Sequence, residues 1–423
     1  MRTRPNQPPH RVSSATLQVV YPGIAQGGLG SRGVLIGRDL HGGSFCYDPW
    51  ELYARGVLTG PNMLVLGQLG RGKSSCVKSL VYRQLAFGRQ ALMLDPKGEN
   101  GPLCHAAGVE SIQLRPGGTI RLNPLDARHR DGDSPDDILQ DRTRIVTAIL
   151  GASLGRSLGP EERVAVEAAI VDAGMASGSG EPTLAHVVEA LLSPSDAAAA
   201  RARTTPEALS LLSRTIAFEL RRLVEGDLRG MFDAQTSGNV DLTAPIVSFD
   251  LSHVYQSEAL GILMICVAAW FQNILRRQDG VKRIVVLDEA WAVLRNVEIA
   301  RWLQASYKLA RSYGVQYIAI LHRLSDLLAG GDAGSAQVQL ARGLLADSET
   351  VVLYAQPPSE LEMVRELLEL NQTELDHVEA LPRGYALWKV GQRSFLVEHR
   401  LGPQEHAVVD TDARMRIASG SPR

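Results

Sequence analysis

A glycine-rich segment near position 70 has the residue types and spacing of a phosphate-binding loop. A glycine is followed by four residues and then by Gly-Lys-Ser, between a short apolar run at 63–66 and a helical pattern at 74–87. Glycines let backbone N–H groups approach phosphate oxygens without a Cβ clash, and the following helix N-terminus adds positive potential. The residues expected to bind nucleotide are Gly67, Gln68, Leu69, Gly70, Arg71, Gly72, Lys73, Ser74 and Ser75.

Two side chains of this loop have separate tasks. Lys73 is expected to reach the β- and γ-phosphates, and the Ser74 hydroxyl is expected to ligate Mg²⁺. ATP and Mg²⁺ are therefore the cofactors that the motif predicts. Lysine is scarce in this chain, with 6 among the 44 basic residues. A lysine at this position of the motif is therefore less expected by chance than in most proteins.

Two adjacent carboxylates follow another apolar run at 284–287. Beside a phosphate loop, Asp288 is expected to hold Mg²⁺ and Glu289 to orient and deprotonate the attacking water. The adjacent pair favours an ATPase, which converts ATP and water to ADP and phosphate, over a kinase. Apolar runs that end in two acids are common as ordinary strand ends, so the catalytic interpretation depends on the phosphate loop.

Four further residues are weaker candidates, each with an ordinary structural alternative. The segment 95–99, Asp-Pro-Lys-Gly-Glu, is a tight loop after an apolar run, and Asp95 and Glu99 either reach the active site or belong to a simple turn. His322 either contacts the γ-phosphate or the attacking water, or is a structural hydrogen-bonding residue. Arg311 either acts across a subunit interface as an arginine finger or caps a helix C-terminus.

The elements that must position these residues are suggested by short apolar runs that lack alternation. Such runs are typical of strands buried on both faces, as in a parallel sheet covered by helices. Helical patterns lie between several of them, so we expect an α/β fold with three layers and a mostly parallel sheet. The runs occupy 63–66, 91–94, 246–249, 284–287, 317–321 and 351–354.

The chain divides into a core and several additions. Little strand signal and many helical segments in the middle of the chain predict an all-helical insertion between strands of the sheet. Short apolar pieces near the start predict a small β layer, and Gly391-Gln392 predicts a hairpin turn. The expected divisions are a flexible arm at 1–15, a small β-rich segment at 16–60, an ATPase core at 61–127 and 241–410, the helical insertion at 128–240, and a flexible tail at 411–423.

Composition excludes several classes of protein. With 423 residues, 45% hydrophobic residues and 21% charged residues, the chain is not a disordered polar one. A net charge of −2 does not favour DNA as a partner, although DNA stays open if an oligomer gathers basic residues. Four scattered cysteines argue against a zinc site. The longest apolar run, 259–271, is too short to cross a bilayer, so we expect no direct membrane insertion and a cytoplasmic location.

Several segments together have a family likeness. They are the phosphate loop 67–74, Asp-Pro-Lys-Gly-Glu at 95–99, Ser-Phe-Asp-Leu-Ser at 248–252, Leu-Asp-Glu-Ala-Trp at 287–291 and Ala-Arg-Ser-Tyr-Gly at 310–314. In this combination the sequence resembles the TraC-like ATPases of conjugative transfer and type IV secretion, within the FtsK–HerA superfamily of P-loop NTPases. The resemblance covers about residues 30 to 400. The second and fourth segments are its more specific parts.

The resemblance implies a RecA-like motor that works as a hexamer, with ATP bound between neighbouring subunits. It also implies membrane-embedded channel components as partners, which would bring the protein to the inner face of the cell membrane. Arg311 matches a recurrent arginine of the family. His322 stands where the family usually has Gln, and Leu321 replaces the Thr before it, so a γ-phosphate sensor is put in doubt. Only about 60 residues precede the phosphate loop, which suggests a motor domain alone.

Two other functions remain compatible with the residues. One is a DNA-translocating ATPase of the coupling-protein or FtsK–HerA type, which predicts DNA-stimulated hydrolysis and a basic channel. The other is a nucleotide-dependent assembly scaffold with little turnover, which predicts that Glu289 is dispensable. The intact pair of Asp288 and Glu289 argues against the scaffold.

Overall fold

The computed structural model describes residues 28–40, 43–127, 134–178, 180–238, 240–241, 243–254, 260–275, 279–290, 297–325 and 336–409. The expected arm at 1–15 and the expected tail at 411–423 lie outside the described residues. So do Trp291 and two of the short pairs of basic residues in the sequence, Arg128/Arg130 and Arg276/Arg277.

The described residues form one sheet of 11 strands. The strands are β1 (Val34–Asp39), β2 (Gly43–Tyr47), β3 (Met63–Leu66), β4 (Gln90–Asp95), β5 (Ile112–Gln113), β6 (Ile246–Asp250), β7 (Arg283–Leu287), β8 (Val315–Leu321), β9 (Thr350–Leu353), β10 (Tyr385–Val390) and β11 (Arg393–His399). All six apolar runs noted in the sequence are strands of this sheet.

The sheet has a parallel part and an antiparallel part. Its spatial order is β2-β1-β11-β10-β9-β3-β8-β7-β4-β6-β5. From β9 to β5 every pairing is parallel, and from β9 to β2 every pairing is antiparallel. The expected hairpin is confirmed, because β10 and β11 pair across the Gly391-Gln392 turn. The first two strands do not form a separate layer; β1 pairs with β11 and extends the main sheet.

Helices cover both faces of the sheet. They are α1 (Pro49–Ala54), α2 (Lys73–Leu85), α3 (Gly101–Ala106), α4 (Pro135–Leu154), α5 (Pro160–Ala176), α6 (Leu184–Leu192), α7 (Asp196–Arg201), α8 (Pro206–Val224), α9 (Leu260–Leu275), α10 (Val297–Tyr313), α11 (Ala336–Ala346), α12 (Pro358–Leu367), α13 (Gln372–Ala380) and α14 (Glu405–Val409). Of the helices in the described ranges, none combines the length and the apolar character that crossing a membrane requires.

Two hydrophobic cores lie on opposite sides of the sheet. In β3, Leu64 and Leu66 belong to one core, while Met63 and Val65 belong to the other. This division follows from the alternation of side chains along a strand, and it requires apolar residues at every position. The expected three-layer α/β class is therefore confirmed.

The helical stretch α4–α8 leaves and rejoins the core at adjacent points. The Leu122 N–H donates to the Met231 carbonyl at 2.8 Å, and the Arg121 guanidinium contacts Asp233 at 3.0 Å. Ser134 caps the first helix of this stretch, with Pro135 directly after it. An insertion between two strands of a sheet requires that the segments leading into it and out of it lie side by side, as these do.

Candidate active site

The glycine-rich segment forms a loop between β3 and α2. Gly70 has φ +73°, and Gly72, which precedes the first residue of α2, has φ +111°. These left-handed conformations are easy for glycine and costly for other residues. The loop is fastened from outside, because the Gln68 N–H donates to the Ala355 carbonyl at 3.2 Å and the Gly384 N–H donates to the Arg71 carbonyl at 3.0 Å. These two hydrogen bonds fix the backbone of the loop at both ends.

The Lys73 ammonium lies against this loop. It donates to the Gly67 carbonyl and, at 2.8 Å, to the Gln68 carbonyl. Burial lowers the pKa of Lys73; the charges of Asp288 and Glu289 oppose this shift and the Lys97 charge adds to it, and the resulting pKa is about 8. A buried cation on neutral carbonyls gains most from an anionic partner, so this lysine and the surrounding backbone fit phosphate groups.

A substitution at Gly67 tests whether the phosphate loop must pack closely against Tyr354, the residue that follows β9. A Cβ at Gly67 would lie 2.4 Å from the Tyr354 Cβ, and φ is +150° there, whereas a Cβ at Gly70 would meet nothing within 4 Å. We expect Gly67→Ala to weaken ATP binding at least about tenfold because the loop must shift. Gly70→Ala carries only the left-handed backbone cost, about 1 kcal/mol, and is the matched control. Titration calorimetry compares the two variants, and equal losses would contradict the close-approach explanation.

The two acidic residues lie just beyond β7. Glu289 is 2% exposed and has φ +53°, an uncommon conformation for a residue with a side chain. Its N–H donates to the Asp288 Oδ1 at 2.9 Å. Burial, followed by the charge of Glu289, raises the pKa of Asp288 to about 6. A divalent cation would offset both effects.

Glu289 has two basic neighbours. Its Oε1 forms an ion pair with the Lys97 ammonium and lies 2.9 Å from the His322 Nε2. The Nδ1 of His322 is buried and has no hydrogen-bond partner among the described residues. His322 thus contacts the candidate base itself.

Strand register explains this meeting. Leu66 of β3 lies beside Leu321 of β8, so the phosphate loop and His322 leave neighbouring strands at the same level. On the other side, β7 lies between β8 and β4, and Leu287 pairs with Leu94. The carboxyl ends of four adjacent strands therefore deliver the loop, the histidine, the acids and the segment 95–99 to one edge of the sheet.

Within segment 95–99, Lys97 is the residue that contacts Glu289, and sequence reasoning did not single it out. Asp95 instead accepts a hydrogen bond from the Asn100 N–H at 2.7 Å, and burial raises its pKa. The Glu99 carbonyl accepts from the Lys78 ammonium of α2 at 2.8 Å. Asp95 and Glu99 therefore shape and anchor the loop. The scarcity of lysine in the sequence could have drawn attention to Lys97. Its contact with Glu289, however, depends on β4 lying beside β7.

Arg311 lies away from this group of residues. It is near the end of α10, directly before β8, so it lies at the amino edge of the parallel strands, whereas the phosphate loop follows the carboxyl end of β3. The length of β8 separates the two edges by roughly 20 Å. Arg311 donates to the Thr59 carbonyl at 3.3 Å. Within one chain it does not join the candidate site.

The chemistry of the available donors fits Mg²⁺ bound together with a nucleotide. Within the described ranges, no group of three His, Cys, Asp or Glu side chains could hold a metal by itself. Mg²⁺ usually takes one or two protein oxygens and completes its shell with water and phosphates. A serine hydroxyl, Ser74, at the start of α2 and a carboxylate, Asp288, at the end of β7 are oxygen donors of that kind.

Comparisons with known proteins agree with this arrangement. A family model described as "AAA-like domain" matches residues 55–342, which is more than half of the chain and includes the phosphate loop and the acidic pair. No protein with a curated description matches the chain.

Solved structures share the fold. VirB4 of Thermoanaerobacter pseudethanolicus superposes with a TM-score of 0.75 at 23% identity, over 90% of this chain and 100% of that one. The bacterial conjugative coupling protein TrwBΔN70 gives 0.56 at 15% identity, over 81% of this chain and 84% of that one. TrwB in complex with the ATP analogue ADPNP gives 0.56 at 16% identity, over 81% and 85%.

Proposed function

The chain belongs to the AAA-like domain family, and from that premise we propose that it is an ATP-hydrolysing motor of a conjugative DNA-transfer or type IV secretion-like system. The observation that carries the proposal is the meeting of the glycine loop, Lys73 and the carboxylates Asp288 and Glu289 at one edge of the sheet, close enough for both carboxylates to act on the lysine charge. The fold shared with VirB4 and TrwB supports the kind of machine.

Each residue has a defined task in this proposal. The N–H groups of the loop and the Lys73 ammonium bind the phosphates, and Ser74 and Asp288 hold Mg²⁺. When bound, Mg²⁺ neutralises phosphate charge. Glu289 orients a water molecule and accepts its proton. His322 donates to Glu289 and sets the direction of its carboxylate, which is a positioning task.

Assembly is the second part of the proposal. We place Arg311 in trans, because it lies at the opposite edge of the sheet from the site of its own chain, so the ATP that it could reach would belong to a neighbouring subunit. A hexamer with ATP between subunits meets this condition. Docking onto membrane-embedded channel components would hold the ring at the cytoplasmic face of the cell membrane.

A DNA-translocating motor is the nearest alternative, and charge argues against it. Arg221 pairs with Glu225, and Arg222 lies 3.6 Å from both Glu219 and Asp227. These arginines of the helical insertion are therefore neutralised by acids on the same surface. Phosphate binding would require a surplus of positive charge.

Steady-state ATP hydrolysis over a range of protein concentrations tests the proposal. We expect turnover per chain to rise steeply as subunits associate, since the site is completed by a neighbour, and to be unchanged by added DNA. Strong stimulation by DNA would favour the translocating motor instead. ATP binding without turnover at any concentration would favour the scaffold.

A further inference from the structure

The phosphate loop carries one large apolar side chain on its outer surface. Leu69 is 71% exposed, although the Gln68 N–H before it and the Arg71 carbonyl after it both form hydrogen bonds within the chain. Phosphates are bound in this motif by backbone N–H groups, by the lysine and by the helix end, and none of these tasks uses an apolar side chain. A single exposed leucine is ordinary on a protein surface, so its meaning depends on which surface can cover it.

A groove of about 610 Å³ lies where the helical insertion meets the ATPase core. It runs between α4 and α5 of the insertion and α10 of the core. Val164 of α5 is 46% exposed and Leu309 of α10 is 43% exposed, so two of its walls present apolar surface to solvent. The groove has room for an apolar side chain the size of leucine. The apolar residues that line it are Ile145, Ala148, Val164, Ala305 and Leu309.

The groove lies beside Arg311. Leu309 precedes Arg311 by two residues, which corresponds to a rise of about 3 Å along α10. Residues two apart on a helix point in different directions. One side of the end of α10 therefore presents Arg311 and another side presents Leu309, and a loop that approaches this end can contact both.

The proposed assembly brings a phosphate loop to this place. Arg311 can reach the ATP of a neighbouring subunit only if the end of α10 comes close to the loop that binds the phosphates. Leu69 belongs to that loop, so the same approach carries it toward the groove.

The charges around the groove agree with this pairing. Three arginines and two acids line the groove, and Arg311 adds a further positive charge beside it. A surface with surplus positive charge complements a loop that binds phosphates. The arginines are Arg144, Arg163 and Arg301, and the acids are Asp141 and Glu167.

We propose that Leu69 of one subunit packs into the groove of its neighbour, between Val164 and Leu309. This inference rests on the placement of Arg311 in trans under the proposed function. Each subunit contributes its loop to one neighbour and its groove to the other, which is the head-to-tail type of contact that closes a ring. The contact connects the nucleotide-binding loop of one subunit to the helical insertion of the next and gives that insertion a task.

A double-mutant cycle on self-association tests the contact. Analytical ultracentrifugation of the full chain with saturating Mg²⁺·ADPNP gives the concentration at which half of the chains are associated, for wild type, Leu69→Ser, Leu309→Ser and the double variant. We expect Leu69→Ser to raise this concentration about tenfold, because an apolar side chain no longer leaves water on association. The double variant should lie within about twofold of Leu69→Ser, because both changes remove the same contact.

The chain offers a matched control for exposure. Leu211 of α8 is 73% exposed, so Leu211→Ser makes the same chemical change at an equally exposed site. We expect it to leave association within about a factor of two of wild type, and Leu69→Met to do the same because it keeps an apolar side chain of similar size. Val164→Ser replaces Leu309→Ser if the latter does not fold.

Three results would overturn the contact. The first is association of Leu69→Ser within about a factor of two of wild type. The second is additive losses in the cycle, which would show that the two leucines do not meet. The third is a loss of affinity for fluorescently labelled ADPNP in dissociated Leu69→Ser as large as the loss of association, which would show that the substitution damages the loop itself.

The cycle is separate from the test of the proposed function. ADPNP is not hydrolysed, so the cycle still decides about the contact if wild type associates but never turns over ATP, a result that would refute the motor alone. If wild type stays monomeric at every concentration, the contact and the trans placement of Arg311 are both wrong, whereas hydrolysis by the monomer would still support an ATPase.

Discussion

Replacing Lys73 by alanine is expected to lower ATP hydrolysis at least about 100-fold and to weaken nucleotide binding. The side chain lies at the junction of the loop and α2, where it now donates to two loop carbonyls. Burial lowers the pKa of this lysine to about 8 although the charges of Asp288 and Glu289 oppose the shift, so its positive charge is incompletely stabilised there. A phosphate would supply the missing negative charge, so the lysine contributes most when nucleotide is bound.

The measurement separates binding from turnover. Titration calorimetry with Mg²⁺·ADPNP gives the loss of affinity, and steady-state hydrolysis gives the loss of kcat. Lys308→Ala, which removes an exposed lysine of α10, should leave both quantities within about a factor of two of wild type. Turnover above about a tenth of the wild-type rate in Lys73→Ala would show that the loop is not the phosphate site.

Local sequence patterns were enough to predict the strands and helices of the core. Runs such as 63–66 and 284–287 contain only apolar residues because both faces of their strands meet a hydrophobic core, and that requirement is visible in a short window. Caps are equally local: Ser134 with Pro135 marks the start of α4. The phosphate loop could be located in the same way, since its glycines, lysine and serine are contiguous.

Contacts that depend on strand order could not be predicted. The chain places more than 180 residues between Lys97 and Glu289, and only the adjacency of β4 and β7 brings them together. Likewise, β1 joins the main sheet because β11 returns to it from the other end of the chain. The position of Arg311 relative to the phosphate loop was partly predictable. Arg311 precedes a parallel strand, whereas the loop follows one, so the two lie at opposite edges of the sheet.

Glu289→Gln is expected to reduce hydrolysis by about 10²- to 10⁴-fold while nucleotide binding is kept or strengthened. The amide matches the carboxylate in size, so the buried position beyond β7 stays filled, but it cannot accept a proton from water. Glutamine can still accept a hydrogen bond from His322, so the local geometry should survive.

Comparison with Lys73→Ala makes the result specific, because one variant should lose binding and the other should lose only the chemical step. Single-turnover hydrolysis of prebound ATP measures that step directly, and Glu379→Gln, an exposed acid of α13, is the control for loss of one negative charge. Wild-type turnover in Glu289→Gln would mean that water is activated by another group. In that case the burial of Glu289 and its contacts with Lys97 and His322 would have to be explained by structure alone.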